Sequence, residues 1–116
     1  MILIAVDDLL FSSKIRAAAK QAGIAILFAR TPADIIQQAR AAKPSLAIFD
    51  LTSEKIDSIG TIRALKADAE LGGIRTLGFV SHVRADVVAA AREAGVDEVV
   101  ARSAFAARLV EILQHG

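Results

Sequence analysis

The chain has 116 residues, room for one domain, and 54 % of them are hydrophobic, far too many for disorder and enough for a sizeable core. A net charge of +1 with both signs scattered, and no Trp or Tyr, leaves neither the basic stripe nor the stacking rings of a nucleic-acid surface. The absence of cysteine excludes disulfides, thiolate metal sites and Cys nucleophiles; with no membrane-length apolar run and no basic leader before the first strand-like segment, a soluble cytoplasmic domain is expected.

Met1 to Val6 is an unbroken apolar run that stops at two acids, as a strand buried on both faces should. Ser12 and Ser13 have cap chemistry for a helix from about Lys14 to Ala22, which Gly23 ends. Ile24 to Phe28 is a second short apolar run, and Thr31-Pro32 reads as N-cap and first residue of a helix through Arg40. Pro44 blocks its continuation.

Leu46 to Phe49 repeats the first pattern and ends on Asp50. After a polar loop, Ile59, Ile62 and Leu65 recur at helical spacing up to Gly72-Gly73. Thr76 to Val80 is the fourth strand, ending at Ser81; Val87, Val88, Ala91 and Ala94 line a helix closed by Gly95. Val96 to Ala101 is the fifth strand, followed by Arg102, and Phe105, Leu109, Ile112 and Leu113 face inward from a last helix.

Strict alternation of five strands and five helices predicts an α/β fold: a five-stranded parallel sheet with helices on both faces and right-handed crossovers. Ligands of such sheets bind beyond the carboxyl ends of the strands. The residues there are Asp7-Asp8, Arg30, Asp50, Ser81 and Arg102. Singly, each Asp also suits a cap or a turn. If the first and third strands are neighbours, however, Asp7, Asp8 and Asp50 share one acidic pocket. Three unpaired carboxylates repel, so one takes up a proton unless a cation relieves them, and an all-oxygen set suits Mg²⁺. The two acids of the first loop also stand where a phosphate cradle needs glycines, and no G-x-G-x-x-G or Walker-type run occurs, which disfavours flavin or dinucleotide binding.

Leu3-Ile4-Ala5-Val6-Asp7-Asp8, Leu46-Ala47-Ile48-Phe49-Asp50-Leu51, Val80-Ser81 and Ala94-Gly95-Val96-Asp97 together resemble, over nearly the whole chain, the receiver domains of bacterial two-component response regulators. The resemblance implies a three-layer, flavodoxin-like fold with strand order 2-1-3-4-5. It implies Mg²⁺ held by Asp7, Asp8, Asp50 and the Thr52 backbone carbonyl, and a phosphoryl group accepted on Asp50 from a histidine kinase or phosphotransfer protein. Ser81 and Arg102 would then contact the phosphoryl group, and with Val99 carry the change to the face of the fourth helix, fifth strand and fifth helix. Such a domain is not a conventional enzyme; its output is a downstream protein or a fused output domain, a homodimer is allowed, and neither nucleic acid nor membrane is a direct partner.

Three departures accompany the resemblance. Arg102-Ser103 stands where the family has Lys, usually followed by Pro, and a guanidinium is bulkier and differently directed than an ammonium. Glu54 and Ser58 replace a Pro and a Gly in the loop after Asp50, and Val99 replaces an aromatic residue. The alternative is therefore a pseudo-receiver that binds partners without phosphorylation. His82 and His115 lack a second ligand at metal spacing, and Arg63, Lys66 and Arg92 are expected on a solvated face.

Overall fold

Five apolar runs form a wholly parallel sheet, its three central strands buried from both sides by helices that return the chain to the same edge and its two outer strands only partly covered. A computed structural model describes residues 1–81 and 84–116. The elements are β1 (Ile2–Ala5), α1 (Leu9–Ala22), β2 (Ile26–Phe28), α2 (Pro32–Ala42), β3 (Leu46–Asp50) and α3 (Ser58–Ala67). They continue with β4 (Arg75–Val80), α4 (Ala85–Ala94), β5 (Glu98–Ala101), α5 (Arg102–Ala107) and α6 (Leu109–Gln114). The strand order is β2-β1-β3-β4-β5, as expected.

Alternation along each strand divides the core in two. Leu3, Ala5, Ala47, Phe49 and Val80 pack with Ile35, Ala39, Ile62, Leu65, Ala91 and Ala94 beneath α2, α3 and α4. Ile2, Ile4, Val6, Ile48, Leu77 and Phe79 pack with Phe11, Ile15, Phe105, Leu109 and Leu113 beneath α1, α5 and α6. The second layer holds the aromatic centre: Phe79 stacks on Phe105 at 4.8 Å, and Phe11 meets the two rings edge-on at 5.3 and 5.7 Å.

Helix ends follow their residues. Thr31 Oγ1 accepts from the Asp34 amide at 3.2 Å, with Pro32 in the first turn of α2. Gly95, at φ 105°, closes α4 with its N–H turned back to Ala91 and Arg92, a conformation a side chain would strain.

Three sequence expectations need correction. The first helix begins at Leu9, because Asp8 rather than Ser12 or Ser13 caps it; Ser12 is instead a buried helical residue whose hydroxyl reaches the Val6 carbonyl. The last helix is two, α5 and α6, because the backbone at Arg108 (φ −107°, ψ 18°) leaves helical geometry. Lys66 is not on a solvated face: its ammonium bonds the Ile74 carbonyl and Asp97, both at 2.8 Å, tying α3 to the strand starts. Among the described residues no helix is long and apolar enough to cross a membrane.

Candidate phosphoacceptor site

β1 and β3 are neighbours, with Ala5 opposite Phe49, so Asp7-Asp8 and Asp50 leave the sheet at the same edge. Asp50 is the last residue of the central strand, faces Phe79 in the β4 register, and is 7 % exposed. Thr52 folds back over it: the Thr52 amide (3.1 Å) and hydroxyl (2.9 Å) both donate to Asp50 Oδ1. That Asx-type turn fixes the carboxylate and leaves Oδ2 without a donor among the described residues. Ser58, the first residue of α3, is buried and donates its hydroxyl to the Asp50 carbonyl, fastening the loop to the strand end. Asp57, just before it, takes the left-handed conformation at φ 46°.

Asp7 is partly buried, and Ser53 Oγ donates to its Oδ2 at 3.2 Å. Asp8 is doubly engaged. Its Oδ1 accepts from the Phe11 amide and its Oδ2 from Arg102, each at 3.0 Å. The Phe11 amide, foremost, and then the Arg102 guanidinium hold the Asp8 carboxyl below the ordinary aspartate range, against a smaller opposing effect of burial. The Arg102 guanidinium also lies 4.3 Å from the centre of the Phe11 ring.

Ser81 is exposed just past β4, and Val99 is partly buried on β5 against the layer beneath α2, α3 and α4. Arg30 follows β2 with its guanidinium 4.9 Å from the centre of the Phe28 ring. His82 lies outside the described residues. Sequence reasoning missed Phe11, Ser53 and the Ser58 hydroxyl as parts of the site. The spacing Asp8-x-x-Phe11 is an N-cap signal that could have found the first.

Of the three acids, Asp7 Oδ1 and Asp50 Oδ2 carry no donor among the described residues, and they are the carboxylate oxygens a hard divalent cation would take. Asp8 is the exception, since both of its oxygens already serve a backbone amide and a guanidinium. Among the described residues, no group of three or more His, Cys, Asp or Glu side chains is arranged as a metal site.

No family model and no curated relative matches the sequence. Solved structures match its shape. A response regulator from Hahella chejuensis superposes with a TM-score of 0.86 at 20 % identity, over 98 % of this chain and 92 % of that one. The phosphorylated cyanobacterial phytochrome response regulator RcpA gives 0.78 at 19 %, covering 98 % and 88 %. The Mn²⁺-bound form of response regulator Rcp1 gives 0.78 at 20 %, also over 98 % and 88 %. The chain has the fold of the response-regulator receiver domains.

Proposed function

We propose that this chain is a signalling receiver whose Asp50 accepts a phosphoryl group from a phosphohistidine on a partner kinase or phosphotransfer protein. The observation that carries the reading is the state of Asp50 itself. It is a nearly buried carboxylate at the end of the central strand, with Oδ1 locked by Thr52 and Oδ2 left as the nucleophilic oxygen. An Oδ2 lone pair forms the O–P bond as the P–N bond of the phosphohistidine breaks, and the departing electron pair returns to the imidazole. Thr52 holds the attacking carboxylate in one orientation, and Ser58 keeps the strand end in place beneath it.

Asp7, Asp8, Asp50 and the Thr52 carbonyl would hold Mg²⁺, which when bound supplies positive charge against the transferring oxygens. The phosphorylated and the Mn²⁺-bound neighbours support this chemistry for the fold. Ser81 then bonds the new phosphoryl oxygens, and the charge change is read at α4, β5 and α5 by a downstream protein or output domain. Val99 stands on that path in place of a ring, so the coupling runs through aliphatic packing rather than an aromatic rotamer. The domain works by one covalent modification, in the cytoplasm, and not by turnover of a substrate.

A second reading, a phosphorylation-independent interaction module, is favoured by one observation, the Arg102–Asp8 pair. Amide NMR with Mg²⁺ and beryllofluoride, a phosphoryl mimic, separates the two. The phosphoacceptor reading expects shifts at Thr52, Ser81 and along α4, β5 and α5 that an Asp50→Asn variant abolishes. An unchanged wild-type spectrum would leave only the interaction module.

A further inference from the structure

Charge is mixed along the chain as a whole but not between Leu9 and Ala33, where Lys14, Arg16, Lys20 and Arg30 stand without an Asp or Glu. That stretch builds α1 and β2, and β2 is an outer strand of the sheet. Two of its cations converge on one ring: Arg16 Cζ lies 4.8 Å and Arg30 Cζ 4.9 Å from the centre of Phe28. The ring attracts each guanidinium, but the two charges repel one another. No carboxylate among the described residues pairs with either. Arg30 is also partly shut from water, since its Nε is buried and meets no acceptor among the described residues. A partly dehydrated cation without a counter-charge is a standing cost, which an incoming oxyanion relieves.

Beside this pair runs an open strand edge. β2 bonds only to β1. The Ala25 carbonyl accepts from the Ile2 amide and the Ala29 amide donates to the Ile4 carbonyl, both at 3.1 Å. Alternate residues of a strand bond to the same side, so Ile26 and Phe28 turn their N–H and C=O groups outward. Phe28 packs on the layer beneath α1, and Arg30, two residues on, shares that face.

We infer that the β2 edge docks an extended, acidic segment of a partner protein, which adds a sixth strand beside β2 and sets its carboxylates on Arg16 and Arg30. The outward main-chain groups of Ile26 and Phe28 supply the pairing, and the two guanidinium forks select carboxylates. Side chains of the added strand on the α1 face stand about 5 Å from those of β2, within reach of both arginines. A nucleic acid fits less well, because the ring on which a base would stack already carries two guanidiniums. A second copy of this chain, offered through the same flank, brings no acid with it. β1 separates β2 from the strand that ends on Asp50, so the docking needs no phosphoryl group.

The probe is a short peptide of alternating threonine and glutamate, titrated into the full isotope-labelled chain and followed by NMR. Alternating threonine and lysine, inorganic phosphate and a short DNA duplex are the comparisons. The glutamate peptide should shift the Ile26 and Phe28 amides, slow their exchange with solvent and move the Arg30 Nε–H resonance. Arg16→Met and Arg30→Met should each weaken it about tenfold. Arg16 is exposed, so its loss leaves the fold intact and reads binding alone. Ile26 and Phe28 amides that stay unmoved with the glutamate peptide overturn the inference. So does an equal response to the lysine peptide, or unchanged affinity in both variants. Phosphate or DNA that protects those two amides as well as the glutamate peptide does overturns it too.

Discussion

Replacing Asp97 by alanine should loosen the end of the sheet opposite the acidic site. Asp97 Oδ2 receives three donors: Lys66 Nζ at 2.8 Å, the Thr76 amide at 2.8 Å and the Thr76 hydroxyl at 3.0 Å. These contacts join α3, β4 and the turn into β5. Without the carboxylate, Lys66 keeps the Ile74 carbonyl and the Thr76 hydroxyl still accepts from the Asp97 amide. The Thr76 amide loses its side-chain partner in a residue only 1 % exposed. A buried donor left unsatisfied costs about 1–3 kcal/mol. The Lys66 pair adds at most about 1 kcal/mol, because the Asp97 side chain is 45 % exposed and water screens it.

A net loss of about 2 kcal/mol follows, or a fall in Tm of about 8 °C for a domain of this size. Asp97→Asn keeps an acceptor for Thr76 and should lose roughly half as much. Burial alone would raise the Asp97 carboxyl, but Lys66 and Thr76 together hold it below the ordinary aspartate range. Its folded value is thus depressed. The stabilisation is complete above about pH 4, the unfolded value, and disappears as pH falls through the lower folded value. Thermal and urea melts from pH 2 to pH 7 provide the assay. A Tm for Asp97→Ala within about 1 °C of wild type at neutral pH would refute the reasoning. So would a wild-type advantage over Asp97→Asn that persists undiminished at the acid end.

Other outcomes follow from packing and caps. A Cβ on Gly78 would sit 2.6 Å from Leu51, the buried residue after Asp50, so Gly78→Ala should cost about 1–3 kcal/mol in a urea melt. It should also disturb the Asp50 and Thr52 amide resonances, which a purely global effect would not single out. Phe105→Ala removes the ring stacked on Phe79 and should cost about 3–5 kcal/mol by the same measurement. Thr31→Ala deletes the cap of α2 and should cost about 1 kcal/mol, with faster amide exchange confined to the first turn of that helix.

The fold was legible because each strand announces itself as a short apolar run ending on a charge or hydroxyl. Both-face burial in a parallel sheet demands such runs, and Thr31-Pro32, Gly23 and Gly95 mark helix ends by their backbone chemistry. The strand-end positions of Asp7, Asp8, Asp50 and Arg102 followed from that alternation alone. The start of α1 did not, because Asp8, Ser12 and Ser13 all have cap chemistry and only the tertiary structure shows Ser12 buried in the helix. Nor did the break at Arg108, where no Gly or Pro interrupts an amphipathic pattern. Lys66 read as a solvated charge because its partner Asp97 lies 31 residues away, and Arg102 gave no sign that it would reach back 94 residues to Asp8. Side-chain pairing across the fold is a property of three-dimensional register, which local pattern does not encode.

The proposal that Asp50 accepts a phosphoryl group is tested by the intact mass of the protein after incubation with Mg²⁺ and a small phosphodonor. Wild type should gain the mass of one phosphoryl group and Asp50→Asn none. No gain in wild type, or an undiminished gain in the variant, would contradict the account.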